Sequence, residues 1–567
     1  MKFRAADLFT DRHAIASWIF WPLALALIAA RLIVTSDLSV QIIFSPHDDS
    51  LYVTRAFELI EGNGFGPYDS RVLVKYPGIS LWLAIVRILG IPFLVSVNVL
   101  YIASGIYVMT GLLRCGLGRM TAWLAFALFL FNPITFGYEW IRVLREPLDT
   151  GLWVVLLGAA LHMWAAFRQQ KLPLPHLVVF SVVFAYSLYV REENRLLWGL
   201  PVLLALAAVA DARFRGALGH RAIRAGIAGA FALPVLAGLA AGAAWHAFAE
   251  RHYGMPVVHE FSEGEFPGLI AAMRSIESTK DNRMVMVTQE ALARLKTEVP
   301  MLAPVIVRLP QPGPDTLSCR IHGVCSEWSN GWMLFWIKDS AFEAGLTPDL
   351  PTAQAFFGKA REEIERACRE QRLRCTPRGS GLVPPIELRW TRAFVTEWWR
   401  LAKTAFSPAP NVVVSPPVIY PVQNDLGRVY QAVTMTDYFD TERQRSFKEV
   451  PARRPYVSPL GYLRDRLGEP YQQVMTWVSV AALAALLVGL VSRGGQGLSA
   501  FAVVAVVFVG FLVLRLSAVA YVAVYMGAFD PRMMFSTYAL LVLIAVPLLV
   551  EGTTALRLRM RVGKAFQ

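Results

Sequence analysis

The sequence predicts a mostly α-helical, polytopic membrane protein of about ten spans, with one large external domain of mixed structure inserted before the last three. Three observations lead there. Hydrophobic residues make up 55% of the 567 and charged residues only 17%, against roughly 25% in an ordinary soluble domain. The apolar character is uneven, with long uncharged runs in the first 250 and last 100 residues and a Pro-rich, mixed stretch between them. The connections between the apolar runs also alternate in basic charge. So little charge excludes both a single soluble domain and a disordered chain.

A helix crossing the bilayer core needs about 20 apolar residues. Runs of that kind lie near 14–34, 94–113, 120–138, 147–167, 174–190, 196–210, 226–247, 472–491, 498–516 and 534–550. The first is longer than the core of a secretory signal, usually about 7–15 residues, and no small-x-small cleavage site follows, so it reads as an uncleaved helix. One set of connections holds Lys2, Arg4 and Arg12, then Arg114 and Arg119, Arg168 and Lys171, Arg213, Arg215, Arg221 and Arg224, Arg493, and finally Arg557, Arg559, Arg561 and Lys564. The positive-inside rule puts these loops and both termini in the cytoplasm of a bacterial inner membrane. Residues 35–93 and 248–471 then lie outside. The chain divides into an N-terminal transmembrane module (1–247), an external domain (248–471) and C-terminal helices with a basic tail (472–567). The net charge of +13 is partly this topology signal and gives no reason to expect nucleic acid.

The five cysteines test the topology. Cys115 falls in a cytoplasmic loop and is expected as a free thiol. Cys319, Cys325, Cys368 and Cys375 fall in the external domain, where disulfides persist. Proximity suggests Cys319–Cys325 and Cys368–Cys375, although four cysteines allow three pairings. The stretch from Ala360 to Leu373 reads as a helix, and continued through Cys375 it would hold the second pair about 10 Å apart, too far to bridge. That pair therefore requires the helix to end just before Cys375.

Polar groups near membrane level collect on the external side. They are Asp48 and Asp49, Lys75, Arg142, Arg145 and Glu146, the run Arg191-Glu192-Glu193-Asn194-Arg195, Arg515, and Asp530 with Arg532. Charges at that depth are costly and usually face a cavity or a partner. Asp48-Asp49 precedes a short interfacial helix over 50–60, stopped by Gly62-Asn63-Gly64. Capping by Asp49 or Ser50 would account for one acid but not for two. Lys75 ends the same loop in Lys75-Tyr76-Pro77-Gly78, where it either snorkels to head groups or contacts a phosphate. An amphipathic stretch over 79–89, too short to span, follows. Glu146 stands before Pro147 at a helix start, with Arg145 beside it. The run 191–195 could simply neutralise itself. Taken together, acids and bases from five segments on one face suggest a single site that binds an anion and uses a carboxylate.

Several chemistries have no visible site. There is no Walker A loop, strand-borne GxGxxG or kinase set, no GxSxG elbow, and no HExxH or paired-cysteine metal spacing among the nine histidines.

An external loop that opens with His47-Asp48-Asp49-Ser50-Leu51-Tyr52 and closes in Lys75-Tyr76-Pro77-Gly78, followed by a second external acid in Glu146-Pro147-Leu148, resembles the GT-C superfamily. These are polyprenyl-phosphate-sugar-dependent membrane glycosyltransferases such as the aminoarabinose transferases and protein O-mannosyltransferases. The resemblance covers about residues 14–250, and the external domain matches no acceptor-binding fold. It implies inverting transfer of a sugar from a lipid phosphate to an acceptor hydroxyl at the outer face. Asp48 would be the general base, with Asp49 or Glu146 orienting the acceptor or a divalent cation, and metal use is left open. Lys75 and some of Arg191, Arg195, Arg515 and Arg532 would hold the donor phosphate. The alternatives are a transporter or flippase for an anionic lipid or solute, a sugar-polymer polymerase or ligase, and a membrane-anchored binding module acting through 248–471. In that region Trp328, Trp332, Trp336, Trp390, Trp398 and Trp399 either stack on sugar or pack a core.

Overall fold

A computed structural model describes residues 17–41, 45–279, 282–376, 383, 387–407, 425–436, 458–492, 498–527 and 531–565. Asp530, Arg493 and the basic residues of the N-terminal tail lie outside these. Among the described residues, eight helices are long and apolar enough to cross a membrane, and the chain is an integral membrane protein. The sequence reading expected about ten, and two of its runs form shorter helices among the described residues. Trp18–Val34 and Leu174–Ser187 are shorter apolar helices. The second has 14 residues, or about 21 Å of rise against a core of about 30 Å. It ends early because the polar run from Arg191 follows almost at once.

Arg145–Arg168 is the central helix, with 89% of its apolar window buried. It packs on Phe93–Arg114, Leu174–Ser187, Ala500–Met526 and Phe535–Ala565. Three glycines allow the closest approaches. A Cβ at Gly151 would fall 2.7 Å from Leu100, one at Gly158 2.7 Å from Tyr107, and one at Gly111 2.9 Å from Leu161. Trp153, Trp164, Phe126 and Phe508 fill the shared core.

The described residues between 254 and 458, expected as a domain of mixed structure, are helical. They hold no strand, only an isolated bridge between Ile276 and Cys375. The helix starts explain why. Thr288, Thr316 and Asp349 each accept a backbone N–H three residues on, satisfying donors that a helix otherwise leaves open. Leu350–Arg369 places Ala353, Phe357, Ala360 and Ile364 on one buried face at helical spacing. The expected borders at 247/248 and 471/472 fall inside helices. Arg221–Tyr253 continues to Gly254, which ends it in the left-handed region at φ 76°, and Pro459–Ser492 begins well before 472.

Both disulfides join the expected partners, with Cα atoms 4.2 Å apart for Cys319–Cys325 and 5.7 Å for Cys368–Cys375. The second is possible because its helix stops at Arg369. Cys115 is free.

Candidate active site

The loop from 35 to 77 is built to present its two ends. Its first half is pinned where the Gln41 N–H donates to the Ile141 carbonyl. It then enters the helix Asp49–Glu61, closed by Gly62 at φ 84°. Asp48 occupies the N-cap position, but its side chain makes no capping bond, so capping does not explain the residue. Its carboxylate accepts from Arg532 Nη2 at 3.2 Å and from the Tyr52 hydroxyl at 3.4 Å. Asp49 is buried and takes a bidentate grip from Arg142 at 2.6 and 3.1 Å. Fork-to-fork pairing of this kind fixes orientation as well as charge.

Lys75 is delivered from the far end of the loop. Buried Arg55, on the helix Asp49–Glu61, donates to the Lys75 carbonyl at 2.9 Å and to the Val72 carbonyl. Beyond it, the Gly78 N–H donates to the Tyr189 carbonyl at 2.7 Å, and the Tyr186 hydroxyl donates to the Gly78 carbonyl at 2.6 Å. Among the described residues the Lys75 ammonium forms no ion pair; its neighbour is the Phe335 ring, 6.0 Å away. Phe335 also meets His47 at 4.2 Å between ring centroids, and Trp332 flanks both.

From Asp48 a chain of alternating charges runs inward. Arg532 Nε lies 3.5 Å from Glu146 Oε1, which accepts from Arg191 at 2.7 Å. Arg191 reaches Glu193 at 2.6 Å, and Arg515 lies 3.6 Å from Glu193 and 3.5 Å from Asp149. Ser536 donates to Asp149 at 2.8 Å, and the Asn194 amide donates to it at 2.7 Å. Arg145, at the head of the central helix, donates to Glu192 at 2.6 Å and lies over the Tyr52 ring.

This arrangement sorts the expected cations. Arg532 stands beside Asp48. Arg191 and Arg515 are 2% and 1% exposed, and each lies between two acids. Arg195 stands apart, half exposed, bound to Glu263 at 3.2 Å and lying over the Tyr76 ring. Arg145, absent from the expected phosphate set, takes a place near Lys75.

The charges set the acidities outside the spans. Burial alone would raise Asp48, but Lys75, Arg532 and Arg145 outweigh it and bring it down to about 2. Burial pushes Asp49 up to about 6 against the pull of Arg142. Burial, together with Arg145, draws Lys75 below its usual value. Asp48, Asp49 and Glu146 are each held by arginine, and no group of three metal-binding side chains occurs among the described residues. One oxygen of Glu146, Oε2, is buried without a hydrogen-bond partner.

No family model matches the chain, and no curated protein does. Two solved structures do. Both are of ArnT from Cupriavidus metallidurans, one bound to undecaprenyl phosphate and one in the apo state. Identities are 11% and 12%, the alignments cover 96% and 95% of this chain and 78% of each ArnT chain, and the TM-scores are 0.27 and 0.28. The chain is similar to ArnT.

Asp149 and Ser536 are the site residues that sequence reading missed. Asp149 stands three residues after Glu146, one helical turn deeper, in an otherwise apolar run; that spacing and the cost of a lone buried acid were the available signal. Ser536 carries no such mark, since a serine in a span is ordinary.

Proposed function

We propose that the protein transfers a sugar from a polyprenyl-phosphate donor to an acceptor hydroxyl, with inversion, and that Asp48 removes the acceptor's proton. The observation that carries this reading is the placement of Asp48 among Lys75, Arg145 and Arg532 at the outer end of a buried charge chain. A breaking glycosidic bond leaves its electron pair on the phosphate oxygen. Fixed cations at a low-dielectric boundary are worth most where that charge grows. Lys75, free of any ion pair among the described residues, and Arg532 supply them.

Asp48 at about 2 is a weak base, because general bases work best with a pKa nearer the operating pH. The donor itself supplies the correction. Its phosphate takes up the positive charge that holds Asp48 down, and so raises the carboxylate's affinity for a proton as the acceptor arrives. Glu146 Oε2 is left to accept from an acceptor hydroxyl. An apolar groove of about 620 Å³ between Thr391–Phe406 and Pro459–Ser492, lined by Trp399, Phe406, Val480 and Leu483, suits an isoprenoid tail. The helix Thr391–Phe406 packs on Leu516 and Met534, the neighbours of the site arginines.

The test is sugar transfer in membranes supplied with lipid-linked donor. Asp48→Asn is expected to lower turnover by roughly 10²–10⁴-fold with donor affinity retained, and Lys75→Ala to weaken donor affinity most. Wild-type turnover in Asp48→Asn removes the base assignment.

A further inference from the structure

A second polar site lies at the opposite end of the central helix. His162 is sixteen residues from Glu146, about 24 Å along the axis. There a cavity of about 390 Å³ opens among Arg114, His162, Gln169, Lys171 and His176. Three segments meet at it: the end of Phe93–Arg114, the last turns of Arg145–Arg168, and the start of Leu174–Ser187. No carboxylate lines it among the described residues.

The histidines are held in place. Their rings stack at 4.5 Å and 11°. Arg114 donates to His176 Nε2 at 3.1 Å, which leaves Nδ1 to carry the ring proton toward the Tyr107 oxygen at 2.7 Å. His162 is 3% exposed. Its Nε2 lies 3.1 Å from the Tyr107 carbonyl, which can only accept. The other nitrogen, Nδ1, is buried with no partner. With Nε2 donating to that carbonyl, Nδ1 is an acceptor, and a buried acceptor without a partner calls for a donor such as a water, so the anion's partners are the cations of the cavity. The cations, Arg114 and Lys171, are exposed at the mouth.

The surface beside the mouth favours one ligand. Leu174, Val178 and Val182 follow at four-residue spacing on one helix face and are 52%, 49% and 62% exposed. An apolar stripe leading out of a basic cavity matches a molecule with an anionic head and hydrocarbon chains. Basic pockets between membrane helices bind lipid phosphates in this way.

We propose that this cavity binds the phosphate head of an anionic phospholipid, on the membrane face opposite Asp48, with the acyl chains along Leu174, Val178 and Val182. The experiment takes the full chain from vesicles of equal phosphatidylglycerol and phosphatidylcholine and measures retained lipid by native mass spectrometry. Wild type is expected to retain phosphatidylglycerol preferentially. Arg114→Gln with Lys171→Gln is expected to lower that preference by roughly twenty-five-fold, about fivefold for each cation. Arg221→Gln with Arg224→Gln, at exposed positions outside the cavity, is expected to leave it unchanged. Equal retention of the two lipids by wild type, or equal losses in the two double variants, overturns the proposal. Displacement of the lipid by millimolar inorganic phosphate would assign the cavity to the free ion and likewise overturn it. The wild-type comparison stands whether or not a variant folds.

Discussion

Asp48 shows how far one side chain's chemistry depends on its neighbours. With Lys75, Arg532 and Arg145 around it, its carboxyl sits at about 2, so in the free protein it stays ionised through the whole physiological range. A donor phosphate placed among those cations raises the value, because added negative charge disfavours the ionised form. The pH profile carries the consequence. The acid limb of kcat/KM reports the free protein and that of kcat the loaded one, so the kcat limb is expected at higher pH. Coincident limbs, or the reverse order, contradict the linkage between donor and base. Arg191 makes the opposite case, a cation whose value is structural. It is buried between Glu146 and Glu193, and Arg191→Ala leaves both acids short of a partner. Breaking a buried pair costs about 3 kcal/mol or more, so the thermal unfolding midpoint is expected to fall clearly. An unchanged midpoint would show that the pairs are not buried as described.

At the scale of elements, the two ends of the loop over 35–77 are fastened to different helices. Asp48 starts the helix Asp49–Glu61, whose Arg55 holds the Lys75 backbone, while Gly78 is pressed against the Tyr189 carbonyl. A Cβ there would lie 2.5 Å from that oxygen and 2.8 Å from Val190, and a backbone oxygen cannot swing aside. Gly78→Ala is therefore expected to cost about 1–3 kcal/mol of folding stability, and by shifting Lys75 to raise the donor KM with little change in kcat. Gly199→Ala, where a Cβ meets open space, serves as the control, and equal effects of the two would sink the argument. These elements were legible in sequence because their signals are local: Asp-Asp before an apolar period, Gly-Asn-Gly after it, Pro-Gly at the next helix start. The region between 254 and 458 was less legible. Its Pro-rich composition concealed short helices started by single Thr and Asp caps, and its span borders vanished where helices ran past the apolar stretch.

Across the whole molecule, acids and bases from distant segments meet at one end of the central helix, joined by an unbroken run of ion pairs from Asp48 to Asp149. Sequence could predict that Asp48, Glu146, Arg191, Arg515 and Arg532 share a side, because alternating basic loops assign faces. It could not say which cation faces ligand and which braces an acid, since that depends on packing between segments hundreds of residues apart. Thus Arg191 and Arg515 turn inward, Arg195 turns away, and Arg145 takes an unforeseen place near Lys75. The measurement that tests the central claim most directly is a structure of the protein with a polyprenyl-phosphate sugar bound. The account predicts the phosphate against Lys75 and Arg532, the anomeric carbon facing Asp48, and the tail in the groove beside Trp399. A phosphate held away from Lys75 and Arg532, with Asp48 turned from the sugar, would contradict it.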